Sequence, residues 1–410
     1  MKVSLKIIAG SLLICLGASS SHALQSPKDT DFCNIALDRA HQQFQGFHQA
    51  YSNPVHIPRS FSNGQTRLVD PSDWTSGFVA GSFWLMYEYT GEQKWRNTAE
   101  RWTAALESQK NNTTTHDLGF MLFNSYGNGY RLTGNPAYRA VLLSAADSLL
   151  SRYNPVVAAT RSWDHGHWTF PVIVDNMMNL ELLFWVSNSG GDPRYAEAAT
   201  SHAMTTLNHH IRADKSSWHV VDFDPVSGEV IAKMTHQGIA DDSAWSRGQA
   251  WGLYGFTMGY RESGEQRFLD TAIEIANFYL AHPNLPEDRV PWFDFDVPDY
   301  PEITNIRDSS AAAIAASALL ELASFAPDIN SVYYREEALM MLSSLASPDY
   351  SADIGSNGHF LLKHATGNQP AGSEINTAIN YADYYYLEAL LRCSSNAPPE
   401  STSSEQPLGH

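Results

Sequence analysis

The sequence predicts an all-α protein, a closed ring of paired helices around one core, and three observations carry that prediction. Apolar residues recur with the helical period through most of the chain between Asp31 and Cys393, and strand-like alternation is scarce. A glycine with an aromatic residue a few positions later punctuates the periodic segments. Of the 410 residues, 43% are hydrophobic and 12% aromatic against 17% charged, which supplies a large core and excludes a disordered chain.

Taken in order, the chain opens with Lys2 and Lys6, an apolar run to Leu16 and the small-residue ending Ser21-His22-Ala23. This is the pattern of a secretory signal peptide over residues 1–23, with cleavage expected after Ala23 and a periplasmic or secreted destination. The apolar run is too short to span a membrane, and Ile14 before Cys15 argues against a lipoprotein. No later segment is long and apolar enough to cross a bilayer, so no membrane partner is expected.

Residues 24–393 read as a single domain with about twelve helices. They are Phe32–Tyr51, Gly77–Tyr89, Gln93–Ser108, Leu118–Leu132, Tyr138–Arg152, Asn176–Ser187, Arg194–Ile211, Ala250–Glu262, Arg267–Ala281, Ser309–Phe325, Val332–Leu345 and Ile375–Leu391. Gly91, Gly134, Gly190-Gly191 and Gly264 each end one helix in the left-handed conformation, and Trp95, Tyr138, Tyr195 and Phe268 anchor the next. The intervals between these marks lengthen along the chain, so the hairpins share one side and differ in their loops on the other. An open array would expose both ends, which favours closure into a ring. The loops Tyr153–Val174, His219–Ser246 and Pro283–Arg307 gather many of the Trp, His and Asp residues, as a substrate rim would. The tail 394–410, rich in Ser, Pro and Glu, has no periodicity and reads as disordered. Cys33 and Cys393 either form a disulfide joining the first helix to the last or remain two buried thiols.

The formal charge of −18 makes nucleic acid an unfavourable partner. Asp117 and Asp175 each follow a loop and head a largely apolar helix, where a carboxylate can serve as an N-cap. Asp175 is also flanked by bulky apolar residues, so desolvation can raise its pKa and keep it protonated as a general acid, with Asp117 as its charged neighbour. In the segment 241–252, Arg247 and Trp251 lie four apart on one helical face. They can offer a guanidinium beside an aromatic plane to a sugar carboxylate, or Arg247 can be a buried partner of Asp241 or Asp242. Trp74, Trp163 and Trp168 lie in or next to loops, as core residues or as platforms for sugars. The sixteen histidines include no HExxH and no cluster with a third ligand at metal spacing, and phosphate loops, GxSxG elbows and dinucleotide fingerprints are missing.

Four segments make the chain recognisable: HDLGF at 116–120, DNMMNLELL at 175–183, HVVDFDP at 219–225 and HQGIADDSAWSRGQAWGLYG at 236–255. With GSEIN at 372–376 they resemble the unsaturated glucuronyl hydrolases, glycoside hydrolase family 88, in order from about Trp74 to Ala389. The unsaturated rhamnogalacturonyl hydrolases, similar in fold and chemistry, are the runner-up. The resemblance implies an (α/α)6 barrel whose funnel acts on oligosaccharides left by polysaccharide lyases, removing a 4,5-unsaturated uronic acid from the non-reducing end. It implies that Asp175 protonates C4 of the vinyl ether, that water adds at C5, and that Asp117 sits beside the donor. It implies substrate contacts at Trp74, Trp163, His219, Gln237, Arg247 and Trp251, with Thr235 and Trp245 close by, and neither a metal nor an organic cofactor.

Members of the family that prefer sulfated disaccharides tend to carry Arg directly before the glutamine matched by Gln237, and a Ser/Lys-bearing loop before the GSEI-like segment. Here His236 and the stretch 364–370 stand in those places, which leaves Lys363 and a protonated His236 as partial substitutes. Unsulfated glycosaminoglycan, gellan, xanthan and ulvan fragments all stay open as substrates, and neither the sulfate preference nor the oligomeric state is legible. Two readings from other classes compete: a binding toroid without catalysis, which the presence of both Asp117 and Asp175 disfavours, and a sugar epimerase, which would more typically use histidines.

Overall fold

A computed structural model describes residues 27–394 except 301, 302 and 304. The expected signal peptide over 1–23 and nearly all of the expected disordered tail lie outside the described residues. Among the described residues, besides short 3-10 turns, twelve helices run in sequence: α1 (Pro27–Ala50), α2 (Ser76–Thr90), α3 (Gln93–Ala104), α4 (π-helical over Gly119–Gly127, then α-helical over Asn128–Thr133), α5 (Pro136–Leu150), α6 (Asn176–Asn188), α7 (Arg194–His210), α8 (Ser246–Ser263), α9 (Gln266–Ala281), α10 (Ser309–Phe325), α11 (Asp328–Ala346) and α12 (Asn380–Ser394).

The even-numbered helices pack in a closed inner ring, α2 on α4, α4 on α6 and so on to α12, which returns to α2. Each odd-numbered helix lies outside its inner partner. Composition explains the sorting. On α3 the buried residues are Trp95, Thr98, Ala99, Trp102 and Thr103, a single stripe with helical spacing, as an outer helix with one wet face requires. On α10 every residue from Ser309 to Leu319 is buried, and small side chains let it sit between neighbours on all sides.

The two ends of the ring differ. Inner helices hand over to outer ones through tight turns, with Gly91, Gly134 and Gly264 capping α2, α4 and α8 at φ of 67°, 66° and 69°. Between α6 and α7 the left-handed residue is Gly190, at φ 81°, and Gly191 is pressed against the Val186 carbonyl instead. All the long connections, from outer back to inner helices, lie at the opposite end, around the inner-helix N-termini.

Those long loops hold three small sheets that the helical reading did not anticipate. β1 (Ile57–Ser62) pairs with β2 (Gln65–Val69) and with β8 (Ala378–Ile379). β3 (Tyr153–Asn154) pairs with β4 (Ala159–Thr160), and β5 (Pro171–Ile173), β6 (Val220–Phe223) and β7 (Val230–Met234) form the third sheet. The helix expected from Ile375 therefore starts at Asn380, because the preceding residues extend to pair with β1. Cys33 of α1 and Cys393 of α12 form a disulfide, with Cα atoms 6.0 Å apart across 360 residues of chain. It ties the ring shut at the tight-turn end. Among the described residues no helix is long and apolar enough to cross a membrane.

Candidate active site

At the loop end a cavity of about 320 Å³ opens over the inner-helix N-termini, lined among others by Trp74, Asp117, Trp163, Asp175, Gln237 and Arg247. Helix N-termini present unpaired N–H groups and a positive dipole end, which suits an anionic ligand in a chain of negative net charge.

Two motifs place the carboxylates side by side. Gly119 lets α4 approach α6 closely, since a Cβ there would lie 2.6 Å from the Asn179 Cα. Asn179 of α6 then accepts the Phe120 N–H at 2.9 Å and donates to Asp117 Oδ1 at 3.4 Å. Asn176 fixes the neighbouring loop by accepting from Ser162 Oγ and donating to the Thr160 carbonyl. The π-helical turn that follows Asp117 is a device often found at functional sites. His116 donates Nδ1–H to the Ser162 carbonyl at 2.8 Å, and its Nε2 lies 3.1 Å from Asp117 Oδ1.

Asp175 heads α6 without capping it. Its carboxyl is buried, and Oδ2 has no hydrogen-bond partner. Burial pushes its pKa up to about 7, Asp117 adds to the rise, and the positive charge of Arg247 works against it. The buried indole N–H of Trp251 acts on the carboxyl as a weak donor and favours the ionised form. An acid of this kind holds its proton near neutrality and can give it to a weak base.

The third sheet delivers His219. β5 pairs with β6, so that Ile173 faces Val220 and Val174 N–H donates to the His219 carbonyl at 3.0 Å. His219 is thereby set beside Asp175. Its Nδ1 accepts the backbone N–H groups of His236 and Gln237, at 3.1 and 3.3 Å, which puts the ring proton on Nε2. That nitrogen lies 3.7 Å from Asp175 Oδ2. Burial holds the His219 pKa well below its ordinary value, so the ring is a neutral donor with a fixed tautomer.

The remaining expected residues divide into those on the cavity wall and those behind it. Trp74 stacks on Tyr381, with centroids 5.2 Å apart, and Trp163 packs edge-on to His236 at 5.2 Å. Gln237 donates to the Gly367 carbonyl at 2.9 Å. Arg247, fully buried, pairs with Asp308 at 2.7 Å rather than with Asp241 or Asp242, and it also donates to the carbonyls of Thr366 and Gly367. It lies over the Trp245 ring at 4.6 Å, and Trp245 in turn stacks on His219 at 4.4 Å. Trp251 supports Phe120 from below, and Thr235 Oγ1 accepts the Gly238 N–H within a turn. Trp245, Trp251, Thr235 and His219 thus shape the wall rather than form it.

The cavity takes in His236 and Asn368, which the sequence reading placed at specificity positions, and residues it did not select: Arg59, Arg67, His116, His165, Ser373 and Glu374. His116 stands inside the HDLGF motif, and Ser373 and Glu374 belong to GSEIN. The two arginines come from the β1–β2 hairpin, whose Asn63-Gly64 turn is the signal that could have located them. Among the described residues no group of three or more His, Cys, Asp or Glu side chains could hold a metal ion.

Comparison with known proteins places the chain in context. The sequence profile of Glycosyl Hydrolase Family 88 matches residues 49–284. The unsaturated glucuronyl hydrolase of Formosa agariphila is 44% identical over 84% of this chain and 87% of its own length. The unsaturated chondroitin disaccharide hydrolase of Streptococcus pneumoniae is 32% identical over 87% and 90%. The crystal structure of an unsaturated glucuronyl hydrolase specific for heparin superposes with a TM-score of 0.86 at 45% identity, over 89% of this chain and 97% of that one.

Proposed function

The chain belongs to glycosyl hydrolase family 88, and from that premise we propose that it removes the 4,5-unsaturated uronic acid from the non-reducing end of lyase-generated oligosaccharides. One observation carries the reading: a buried carboxyl in an open cavity, unpartnered at Oδ2 and pushed up to about 7, with a second carboxylate beside it.

The chemistry follows from that acid. The substrate's C4=C5 bond is conjugated with the ring oxygen, a vinyl ether that accepts a proton at C4. Asp175 gives its proton to C4, and the positive charge that forms is shared between C5 and the ring oxygen. Water adds at C5 and loses a proton to the Asp175 carboxylate, which restores the acid. The resulting hemiketal opens by breaking the bond between C5 and the ring oxygen. C1 is left carrying a hydroxyl and the leaving sugar, and its collapse to an aldehyde releases that sugar. No displacement occurs at the anomeric carbon, so the separation rule for paired glycosidase carboxylates does not govern the distance between Asp117 and Asp175.

The other residues have positional roles in this scheme. Asp117 accepts hydrogen bonds from substrate hydroxyls and raises the proton affinity of Asp175. His219 offers Nε2–H on the Asp175 side. Trp74 and Trp163 provide apolar faces for the sugar rings. Arg247 supplies positive charge that stabilises the Asp175 carboxylate once its proton has left, and it latches the 366–367 backbone over the site.

The test follows the ultraviolet absorbance of the alkene with a panel of unsaturated disaccharides. Wild type is expected to remove the absorbance, and Asp175→Asn to lose at least about a thousandfold in kcat, within the range for an essential general acid. Turnover retained in that variant would sink the assignment. We also infer export to the periplasm or medium; the signal-peptide pattern and the Cys33–Cys393 disulfide support it.

A further inference from the structure

Trp163 and His165 reach the cavity wall from a loop with little backbone support. On the near side of that loop the Ser162 N–H donates to the Pro171 carbonyl at 2.8 Å, and on the far side Asp222 accepts the N–H groups of Thr169 and Phe170. Between these anchors, among the described residues, no backbone–backbone hydrogen bond engages residues 163–168. The loop therefore takes its place from its side chains. Trp168 supplies one tie, donating its indole N–H to the Met234 sulfur at 3.0 Å. Asp164 supplies the other.

Asp164 stands between Trp163 and His165 but is not on the cavity wall; its carboxylate meets Arg152, the residue that follows the last turn of α5. The Arg152 side chain is 5% exposed. Its Nε donates to the Arg161 carbonyl, Nη1 to the Thr113 carbonyl and Asp164 Oδ2, and Nη2 to the Ser162 carbonyl and Asp164 Oδ1. One bond from Nε and two from each Nη engage every N–H of the guanidinium. A lysine, a point charge with fewer donors, could not make this set. The pair with Asp164 is bidentate, at 2.8 and 3.0 Å, and it holds Asp164 below its ordinary pKa, with Arg161 and His165 adding to the effect.

We propose that Arg152 and Asp164 are positioning residues: their ion pair, behind the loop, sets the Trp163 face on which the sugar lies. The proposal rests on the sugar-binding role given to Trp163 above. Neither residue touches substrate in this scheme. The clamp orders the indole before the sugar arrives, so that binding does not have to. Without it the ordering is repeated at each encounter, and the cost falls on affinity and not on proton transfer from Asp175.

The experiment measures kcat and KM on an unsaturated disaccharide. Asp164→Ala, at a half-exposed position, is expected to raise KM about fivefold while kcat and the alkaline limb of kcat/KM stay in place. Asp164→Asn, which keeps one acceptor oxygen, is expected to fall between that variant and wild type. Arg152→Lys is expected to reproduce the rise in KM; should it not fold, Asp164→Ala decides. In a Trp163→Ala background the same Asp164→Ala change is expected to alter KM by less than about twofold, because the residue it acts through is gone. A merely structural role would keep its full effect there. A KM unmoved by Asp164→Ala, a loss in kcat in place of KM, or a rise that persists without Trp163 overturns the proposal. Calorimetric binding of the disaccharide to Asp175→Asn, with and without Asp164→Ala, reads the same effect without turnover. If wild type hydrolyses no unsaturated disaccharide, the reaction assigned above fails, while calorimetry still judges the clamp: affinity unchanged by Asp164→Ala, or no binding at all, overturns it.

Discussion

Helix α6 carries two carboxylic acids shielded from water, the buried Asp175 at its head and the part-buried Glu181 about 9 Å further along its axis. Burial pushes both up to about 7. Their surroundings differ. Glu181 faces the tight-turn end, where Arg261 bonds Glu181, Glu262 and Glu321, and Arg392 bonds Glu321, Glu388 and the Tyr254 hydroxyl. Asp175 lines the cavity, and no hydrogen bond of the fold satisfies its Oδ2. A raised pKa alone therefore does not mark a catalytic acid; the open volume and the unengaged atom do. One end of the ring is closed by ion pairs and a disulfide, and the other keeps its polar atoms for a ligand.

The division predicts that variants at the closed end change stability and variants at the open end change turnover. The largest effect is expected from Arg261→Ala, which strands Glu181 and leaves Glu321 to Arg392 alone at the closed end. Removing one partner of this part-buried network costs about 2–3 kcal/mol, to be read as a lowered denaturation midpoint. The alkaline limb of kcat/KM is expected to stay in place where the variant is folded. A shifted limb would show that the floor communicates with Asp175 and would break the comparison.

Asp117→Asn is the next test, at the open end. A loss of about ten- to a hundredfold in kcat/KM is expected. The pH profile gives the sharper reading. Asp117 raises the Asp175 pKa, so its removal lets that pKa fall, and the alkaline limb moves to lower pH. An unmoved limb would mean that Asp117 acts on the substrate alone.

Much of this organisation is legible in the sequence, and the gaps have physical causes. The glycine marks locate the tight turns because a left-handed residue must end those helices, as Gly91, Gly134 and Gly264 do. Asp117 and Asp175 stand out because a carboxylate followed by an apolar helix is costly unless used. Asn179, the residue that brings them together, stands in the DNMMN motif but acts across helices, which periodicity cannot reveal. The Asp308 partner of Arg247 is 61 residues away, whereas local reading offered only Asp241 and Asp242. The β1–β2 hairpin was hidden by helical expectation, although Asn63 and Gly64, both at positive φ, form its turn. With it went Arg59 and Arg67, and so the arginine content of the cavity mouth.

The smallest effect separates the two acids most cleanly. An acid whose folded pKa is raised stabilises the fold fully below its unfolded value, near 4, and that contribution is lost as pH rises through about 7. Both Asp175 and Glu181 should therefore lower Tm between pH 5 and pH 8. Glu181→Gln keeps the neutral shape and removes one of the two ionisations, so it is expected to flatten the fall in Tm while leaving the alkaline limb of kcat/KM unchanged. Asp175→Asn is expected to flatten Tm in the same sense and to abolish turnover. A Tm profile unaltered by Glu181→Gln would mean that Arg261 keeps Glu181 ionised at all these pH values, and the resemblance between the two acids would end at their burial. A flattened profile with an unmoved limb would show one physical perturbation serving catalysis at one end of α6 and merely tolerated at the other.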